Sequence, residues 1–414
     1  MNKKECGIVL LRFRFKNFKS FAEESILDMT ASSIKDHQDS LITINKINIL
    51  PIAVIFGANA SGKSNLIEAL EAMLNEVTTL DTNNIYNYVT PYYFDDNYRT
   101  QPSEFEVSIY LENQNKEYRY GFSKTNDEVY EEWLFSKTFS NTPTVKEKCV
   151  FYREKNKKIV TEINNQEDKN EIMFINSYTK NNELLLTNLG RRETTKYSEI
   201  YQWFISRNMI INFSDSRETF GIYNQKLLKI LYKNKDELEQ VWSLVNTIDP
   251  SIKDIEIEED IDSNMNPHYR VFSHHLVNNG KTIKVPFTTE SCGTKKIFSL
   301  ALFINDSLQK GLPLFVDELD SKLHPLVLRY IIKLYHDKDI NIGHGQIIFS
   351  SHNLVCLDSS DLRRDEIWFV EKNNEKSTMF SLYDFKEEKV RNDLDFGKHY
   401  LNGRFGAIPF LNGE

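Results

Sequence analysis

This sequence has no long hydrophobic run, little cysteine and no excess of positive charge. No apolar stretch approaches the roughly 18 residues that a membrane-spanning helix needs, so we expect no membrane segment. The formal net charge of -9 gives no support to a protein that coats nucleic acid through a basic surface. The four cysteines lie far apart and form no CxxC pair, which argues against a zinc site and a disulfide framework. They are Cys6, Cys149, Cys292 and Cys356.

The amino-terminal segment MNKKECGIVLLRFRF also lacks the features of a secretory signal. Arg12 and Arg14 interrupt the apolar core that a signal peptide requires, and no cleavage site of small residues follows. Internal repeats, low-complexity tracts and sustained heptads are missing as well. Together these absences predict a soluble protein of the reducing cytoplasm.

The most informative feature that is present is FGANASGKSNLIEAL, residues 56–70. A glycine, four small or polar residues and then Gly-Lys-Ser have the spacing of a phosphate-binding loop. A short apolar run precedes the loop and apolar residues at helical spacing follow it, so we predict a strand, a loop and a helix in that order. Backbone N–H groups of such a loop converge on phosphate oxygens at the positive end of the helix.

Within this loop, Lys63 is predicted to contact the terminal phosphates and Ser64 to ligate Mg2+ through its hydroxyl. The alternative is an ordinary turn that matches by chance, and the predicted strand and helix argue against it. The guanine-binding sequence Asn-Lys-x-Asp is out of register in its nearest match, residues 234–237, so the expected ligands are ATP and Mg2+. The predicted phosphate-binding set is Asn59, Ala60, Ser61, Gly62, Lys63, Ser64 and Asn65.

By pattern the chain divides into three parts. Residues 1–165 alternate as strands and turns around one helix, and SEFEVSIYLENQNKEYRYGFS predicts a hairpin. Residues 166–250 turn helical and predict an inserted helical subdomain, in which the aromatic segments YQWFI and VWSLV form either a partner surface or a core. Residues 251–414 return to strands, followed by alternating helices and strands.

One strand of the third part, SIKDIEIEEDID, carries six acidic residues. A metal site is one interpretation, but isoleucine alternates with the acids and residues two apart on a strand share a face, so we predict a core side and a solvent side. The next segment, VFSHHLVNNGKTIKVPF, predicts a hairpin around Asn279-Gly280. Its adjacent His274 and His275 point to opposite faces of a strand, and we assign them no site.

A buried strand that ends in two carboxylates follows, in the segment LPLFVDELD. Carboxylates at the end of an apolar strand need a partner against which to ionise, and a Mg-nucleotide is the obvious one. Asp317 is predicted to hold Mg2+ through water, and Glu318 to act as general base for the attacking water. The alternative, two acids that end a strand by accident, is disfavoured by the phosphate loop.

Two further segments lie on either side of this strand in the sequence. ESCGTKKIFSLALFI begins a predicted helix with Ser291, Gly293 and Thr294, and a helix start rich in serine and glycine is another anion site. GQIIFSSHNLVCL predicts a strand that ends in serines and His352. A lone histidine at a strand end is usually structural, but in this order of motifs we assign His352 as a sensor of the terminal phosphate.

The motifs GANASGKS, ESCGTKK, LFVDE, LDSKLH and FSSHN together resemble the ATP-binding-cassette (ABC) ATPase head. Among ABC ATPases, the resemblance is to the branch that includes RecF, Rad50, the structural-maintenance-of-chromosomes proteins and the overcoming-lysogenization-defect (OLD) nucleases. The resemblance is strongest to OLD-like ATPases of the AAA15 or AAA21 group, and FKNFKSF, NELLLTNLG and YLNGRFGAIPFL extend it over nearly the whole chain. It implies an α/β fold, with an ABC-type P-loop head of mixed sheet, helices and antiparallel β subdomain that the helical part interrupts.

The same resemblance implies roles for single residues. Lys19 stands where relatives carry a basic residue near the nucleotide, and Gln101 is a candidate for the Q-loop glutamine. Glu290 and Cys292 depart from LSGGQ-type signatures, which have Leu and Gly there. The roles carried over are the signature motif for Ser291, Gly293 and Thr294, the Walker B pair for Asp317 and Glu318, the D-loop for Asp320 and the switch histidine for His352.

The resemblance further implies a homodimer, or a higher oligomer, in which two heads sandwich ATP and Ser291 completes the site of a second subunit. Too few residues follow His352 to form the Toprim nuclease domain of OLD nucleases, so we expect a separately encoded nuclease or toxin as effector. The predicted function is an ATPase whose nucleotide-driven dimerisation controls that effector in bacterial anti-phage defence. The alternative is a RecF-like DNA-repair ATPase that binds DNA.

Overall fold

The structure is a computed structural model that describes residues 7–79, 88–138, 146–192, 195–205, 209–212, 224–261, 265–277, 280–385 and 395–409. The strands in these residues are β1 (Ile8–Lys16), β2 (Ser25–Asp28), β3 (Ile42–Ile44), β4 (Ile47–Ile49), β5 (Ile52–Phe56), β6 (Ser103–Leu111), β7 (Lys116–Lys124), β8 (Val129–Thr138), β9 (Lys148–Glu154), β10 (Met209–Asn212), β11 (Ile252–Ile261), β12 (Pro267–Leu276), β13 (Thr282–Pro286), β14 (Leu314–Asp317), β15 (Ile347–Ser350), β16 (Ile367–Asn373) and β17 (Lys376–Ser381). The α-helices are α1 (Lys63–Thr78), α2 (Asp96–Arg99), α3 (Gln166–Tyr178), α4 (Leu185–Gly190), α5 (Ser198–Ile205), α6 (Gln225–Lys233), α7 (Lys235–Ile248), α8 (Cys292–Lys310), α9 (Pro325–His336) and α10 (Phe396–Leu401).

A mainly parallel sheet carries the phosphate loop, in the strand order β10-β14-β15-β5-β16-β17. β17 pairs antiparallel with β16, and the other neighbouring strands are parallel. Every residue of β5, β14 and β15 is buried, as expected for apolar strands that are covered on both faces. Because parallel strands end at the same edge of a sheet, the segments that follow these three strands meet there.

A second, antiparallel sheet has the strand order β2-β1-β6-β7-β8-β9. The predicted hairpin is confirmed within it, since β6 and β7 pair from Ser103 opposite Lys124 to Leu111 opposite Lys116. This sheet shares a hydrophobic core with α1, which contributes Met73 among other residues. The predicted α/β fold, with a mixed sheet, helices and an antiparallel β part, is confirmed.

The helical part of the chain contributes to two hydrophobic cores. Helices α3 to α5 pack into the core of the antiparallel sheet through residues such as Ile172 and Leu186. Helices α6 and α7 pack into the second core, through Leu228 and Val245, together with strands of the parallel sheet. Between these helices, β10 forms an edge strand beside β14. This strand was not predicted, because an apolar run as short as Met-Ile-Ile does not distinguish a strand from a helix. The predicted boundaries near residues 165 and 250 stay predictions.

The aromatic residues of the segment YQWFI are buried. Tyr201 and Trp203 are each 3 % exposed and Phe204 is 4 % exposed, so these side chains fill a core. In the segment VWSLV, Val241 and Val245 are buried as well. The aromatic side chains of YQWFI therefore pack in a core, whereas Trp242 and Leu244 of VWSLV are half-buried. A partner surface on the helical part stays a prediction.

The acidic strand β11 has the predicted core side and solvent side. Ile255 and Ile257 are buried, while the acidic residues around them are half-buried or exposed. Glu256 lies 2.9 Å from the ammonium of Lys284 on β13. In the described residues, no three His, Cys, Asp or Glu side chains are grouped to hold a metal ion, and Asp262 lies outside those residues.

Strands β12 and β13 pair as the second predicted hairpin. His274 and His275 contact different carboxylates, Glu256 and Glu290, as expected for neighbours on a strand. Asn279 of the predicted turn lies outside the described residues. In the ranges that the structure describes, no helix has both the length and the apolar surface needed to cross a membrane.

Candidate nucleotide-binding site

The loop between β5 and α1 requires glycine at two positions. Gly62 has φ +113°, and a Cβ there would lie 2.5 Å from Ser377 Oγ. At Gly57 a Cβ would lie 2.3 Å from the backbone oxygen of Val370. Any larger residue would therefore push the loop away from β16 and β17. Helix α1 begins at Lys63, so the free N–H groups of its first turn lie at the loop.

Lys63 lies inside this loop, and only 6 % of its surface is exposed. Its ammonium donates hydrogen bonds to the backbone oxygens of Gly57 at 2.9 Å and Ala58 at 3.0 Å. Burial lowers the pKa of Lys63, and three nearby carboxylates oppose that shift; they are those of Asp317, Glu318 and Asp320. The fold thus places the lysine cation near the predicted Walker B acids.

Ser350, the last residue of β15, contacts both acids at the end of β14. Its hydroxyl donates to Asp317 Oδ1 at 2.5 Å and accepts a hydrogen bond from the N–H of Glu318 at 2.8 Å. Asp317 is buried, whereas Glu318 is exposed and has φ +53°. This left-handed conformation costs a non-glycine residue about 1 kcal/mol or more, so the surrounding contacts must hold it. Ser350 was not predicted from the sequence, where its place at the end of an apolar strand beside Ser351 and His352 was the available signal.

Asp320 and His352 belong to the same edge. The backbone N–H of His352 donates to Asp320 Oδ2 at 2.9 Å. Burial, followed by the nearby Lys63 cation, lowers the pKa of His352, so its imidazole is neutral at neutral pH. Asp320 Oδ1 is buried and has no hydrogen-bond partner in the described part of the chain. A buried carboxylate oxygen is costly without a partner, and a bound cation or donor would supply one.

The residues at this edge fit a magnesium ion. Mg2+ takes oxygen ligands and usually combines one or two carboxylates with phosphates and water. Asp317 accepts the hydrogen bond from Ser350 through Oδ1, and its other carboxylate oxygen could face a metal ion. Ser64 lies in the first turn of α1. The unpartnered oxygen of Asp320 adds a further acceptor. Asp317 and Ser64 are the side chains that would hold the metal, and this assignment stays a prediction.

The predicted signature residues lie at the start of α8. Ser291 caps this helix by accepting a hydrogen bond from the N–H of Thr294 at 3.1 Å, and Thr294 donates its hydroxyl to Asp249 at 2.8 Å. Gly293 between them is half-buried, whereas Ser291 and Cys292 are exposed. Across the described residues no hydrogen bond joins this helix start to the phosphate loop. Further along α8, Lys296 donates to the backbone oxygen of Glu318 at 3.1 Å, so this helix contacts the end of β14.

Glu290, where LSGGQ-type sequences have leucine, connects this helix start to the small sheet β11-β12-β13. Its Oε1 accepts a hydrogen bond from Ser273 Oγ at 2.5 Å and lies 2.7 Å from His275 Nε2. Both partners are on β12. With the bond between Thr294 and Asp249, these contacts hold the start of α8 in place, which gives the departure from the signature pattern a structural role.

Lys19 lies close to α1, and its ammonium contacts that helix. It donates to Glu68 at 2.5 Å, and both side chains are one-third exposed. The next residue, Ser20, is nearer the loop, since it accepts a hydrogen bond from Asn65 at 2.7 Å and lies 2.7 Å from Ser377 Oγ. These contacts of Ser20 were not predictable from the sequence, because Ser377 comes from β17 and no local pattern marks it. A role for Lys19 in nucleotide binding stays a prediction.

The fold and this edge define a P-loop ATPase-type domain, with a phosphate loop between a buried strand and a helix and an Asp-Glu pair on a nearby parallel strand. The AAA_21 family model, described as "AAA domain, putative AbiEii toxin, Type IV TA system", matches residues 52–358. This span is more than half of the 414 residues, and the chain belongs to this family. The predicted membership in an ABC- or AAA-like ATPase family is thereby confirmed. A search of curated proteins found no match.

Proposed function

We propose that this protein is a Mg-dependent ATPase of the OLD-like, ABC-type branch, and that its nucleotide-driven dimerisation controls a separately encoded effector in bacterial anti-phage defence. The cytoplasm is the proposed location. The observation that carries the ATPase proposal is the convergence of Lys63, Asp317, Glu318 and His352 at one edge of the parallel sheet. Binding of a triphosphate needs a buried cation, and its hydrolysis needs a base near the terminal phosphate.

In the proposed reaction, the Lys63 ammonium holds the β- and γ-phosphates over the start of α1. The exposed carboxylate of Glu318 accepts a proton from the water that attacks the γ-phosphorus. The bond between that phosphorus and the β–γ bridging oxygen breaks, and ADP and phosphate are released. The neutral imidazole of His352 donates a hydrogen bond to the γ-phosphate. Mg2+, held by Ser64 and Asp317, would supply neutralisation of the phosphate charge.

We further propose that two heads form an isologous dimer with ATP between them. The exposed start of α8, with Ser291 and Cys292 at the surface, supports this arrangement, because it leaves an anion site available to a second copy. Ser291 would then contact the triphosphate that the second subunit holds.

Ser291→Arg is expected to abolish cooperative ATP hydrolysis while each subunit still binds ATP with an affinity within about twofold of the unsubstituted protein. The arginine places bulk and charge where the second head would close. The measurement is hydrolysis per subunit as a function of protein concentration, together with ATP binding by calorimetry. Ser243→Arg, on the exposed face of α7, is the matched control. Equal hydrolysis per subunit in Ser291→Arg and the unsubstituted protein at all concentrations would reject a site shared between subunits.

The control of an effector is tested with a tagged copy expressed from its native locus, with and without phage challenge. We expect a co-encoded protein, probed for nuclease activity, to co-purify in amounts that differ between the two conditions. An ATPase can bias a partner only if the partner prefers one of its nucleotide states, so Lys63→Ala should also abolish phage resistance. If the protein purifies without any co-encoded protein in both conditions, and Lys63→Ala leaves resistance unchanged, the DNA-repair alternative replaces defence. Salt-dependent DNA binding would then be expected.

A further inference from the structure

Lys296 is a fully buried lysine in the first half of α8. It is 0 % exposed, and its ammonium donates hydrogen bonds to the backbone oxygens of Glu318 at 3.1 Å and Ser321 at 2.6 Å. Lysine is almost never completely buried unless other groups satisfy its charge. The ammonium therefore belongs to the turn that follows β14, and not to the exposed start of its own helix.

The turn that Lys296 contacts carries the carboxylate proposed as general base. It consists of residues 318–322, and the N–H of Ser321 donates to the backbone oxygen of Glu318 at 3.1 Å. Glu318 has φ +53°, a conformation that a non-glycine residue keeps only where its surroundings hold it. One ammonium that binds two backbone oxygens of the turn supplies such a constraint, together with the Ser350 hydroxyl at the N–H of Glu318. The direction of the Glu318 side chain therefore depends on Lys296.

Helix α8 also contacts this turn at a second place. A Cβ on Gly293 would lie 3.3 Å from the backbone oxygen of Lys322, so the helix start packs closely against the end of the turn. The rise of an α-helix puts Lys296 about 7.5 Å along the axis from Ser291. The start of α8, the buried lysine and the turn therefore form one packed unit, in which the position of the helix and that of the turn depend on each other.

We infer that Lys296 is a positioning residue for the hydrolysis of ATP. Its ammonium holds the turn so that the Glu318 carboxylate stays where it accepts the proton of the attacking water. Because Lys296 is buried and bonds the backbone of the turn, it acts through Glu318 and not on the phosphates. This inference rests on the ATPase function proposed above.

The first test is Lys296→Met, which keeps the buried stem and removes the ammonium. ATP turnover should fall at least about tenfold, while ATP affinity, measured by calorimetry with Mg2+, stays within about threefold of the unsubstituted protein. The matched control is Lys310→Met, which removes an ammonium that pairs with Asp306 near the other end of α8. This control should leave turnover and affinity within about twofold.

Lys296→Gln is the second variant, and it carries the test if circular dichroism shows that Lys296→Met does not fold. Its amide still donates hydrogen bonds, but the side chain is one bond shorter and cannot hold both backbone oxygens. We expect a folded protein whose turnover falls at least about fivefold with ATP affinity within about threefold.

Combination with Glu318→Gln separates positioning from general packing. A residue that acts through Glu318 has nothing to position once the base is removed. Lys296→Met, or Lys296→Gln in its place, should therefore lower the residual turnover of Glu318→Gln less than about twofold in single-turnover measurements. A general loss of packing would lower it by the same factor as in the protein with Glu318 intact.

Three outcomes overturn the positioning role and leave the proposed ATPase intact. In the first, a folded Lys296 variant hydrolyses ATP at the unsubstituted rate. In the second, its ATP affinity falls as much as its turnover. In the third, its effect multiplies with that of Glu318→Gln. If the unsubstituted protein does not hydrolyse ATP, the proposed function fails, and the positioning role fails with it.

Discussion

Lys63→Ala is expected to reduce ATP affinity at least about 100-fold, which corresponds to about 2.8 kcal/mol. The Lys63 ammonium is buried in the phosphate loop and close to three carboxylates. Without it, a bound triphosphate would face these negative charges in a partly desolvated site and would lose its main side-chain cation. Isothermal titration calorimetry with ATP and Mg2+ measures the loss directly.

Two further variants separate loss of charge from loss of packing. Lys63→Met keeps most of the buried stem and should lose affinity as severely as Lys63→Ala, because the charge is what binds phosphate. Lys124→Met is the matched control, since Lys124 is also buried and pairs with Glu76 on α1, away from the loop. Circular dichroism checks that each variant is folded. ATP affinity in a folded Lys63→Met protein within a few-fold of the unsubstituted value would contradict the assignment.

Glu318→Gln is expected to reduce ATP turnover at least about 100-fold and to leave ATP affinity within about threefold. The amide has the same shape as the carboxylate but cannot accept the proton of the attacking water. The predicted metal ligand, Asp317, keeps its bond to Ser350, so binding of the nucleotide should persist. Steady-state hydrolysis and equilibrium ATP binding on the same preparation give the two quantities.

The control for this variant is Asp339→Asn, which removes an exposed carboxylate beyond α9, far along the chain from the strand end. It should change neither turnover nor affinity. Hydrolysis by Glu318→Gln at the unsubstituted rate would show that another group takes the proton. A loss of ATP binding equal to the loss of turnover would place Glu318 in nucleotide binding instead of catalysis.

These two variants also bear on the proposed dimer. A head that binds ATP but does not hydrolyse it should accumulate in the closed, ATP-bound state, whereas a head that binds no ATP should stay open. Glu318→Gln and Lys63→Ala would then trap opposite states of the same protein. An effector that responds to nucleotide state must bind these variants with different affinities.

The phosphate loop and the two acids could be predicted from sequence because each depends on neighbours in the chain. The loop needs Gly57, Gly62 and Lys63 at fixed spacing between an apolar strand and a helix, and every one of these conditions is local. Asp317 and Glu318 end an apolar run in the same way. The hairpin of β6 and β7 was predictable too, since its strands are joined by a short turn.

The contacts that support those residues were not predictable, because they join segments far apart in the sequence. Ser350 contacts the acids from a parallel neighbouring strand, and Ser377 lies against the loop from β17. Ser377 has no local pattern that marks it, and the place of Ser350 at a strand end beside Ser351 and His352 does not by itself indicate a contact with the acids. The short strand β10 was not predicted for a related reason, since its three apolar residues and Asn212 acquire a strand conformation by pairing with β14.

The amino-acid sequence by itself was sufficient to predict the fold class, since spacing and residue type in contiguous motifs predict a phosphate loop, a carboxylate pair and an α/β fold. The arrangement in space required the folded chain. Strand order places the acids on one side of the loop, and it divides the helical part between two cores. Local propensity acts over a few residues, whereas strand order depends on the burial of surfaces from the whole chain, which no short motif encodes.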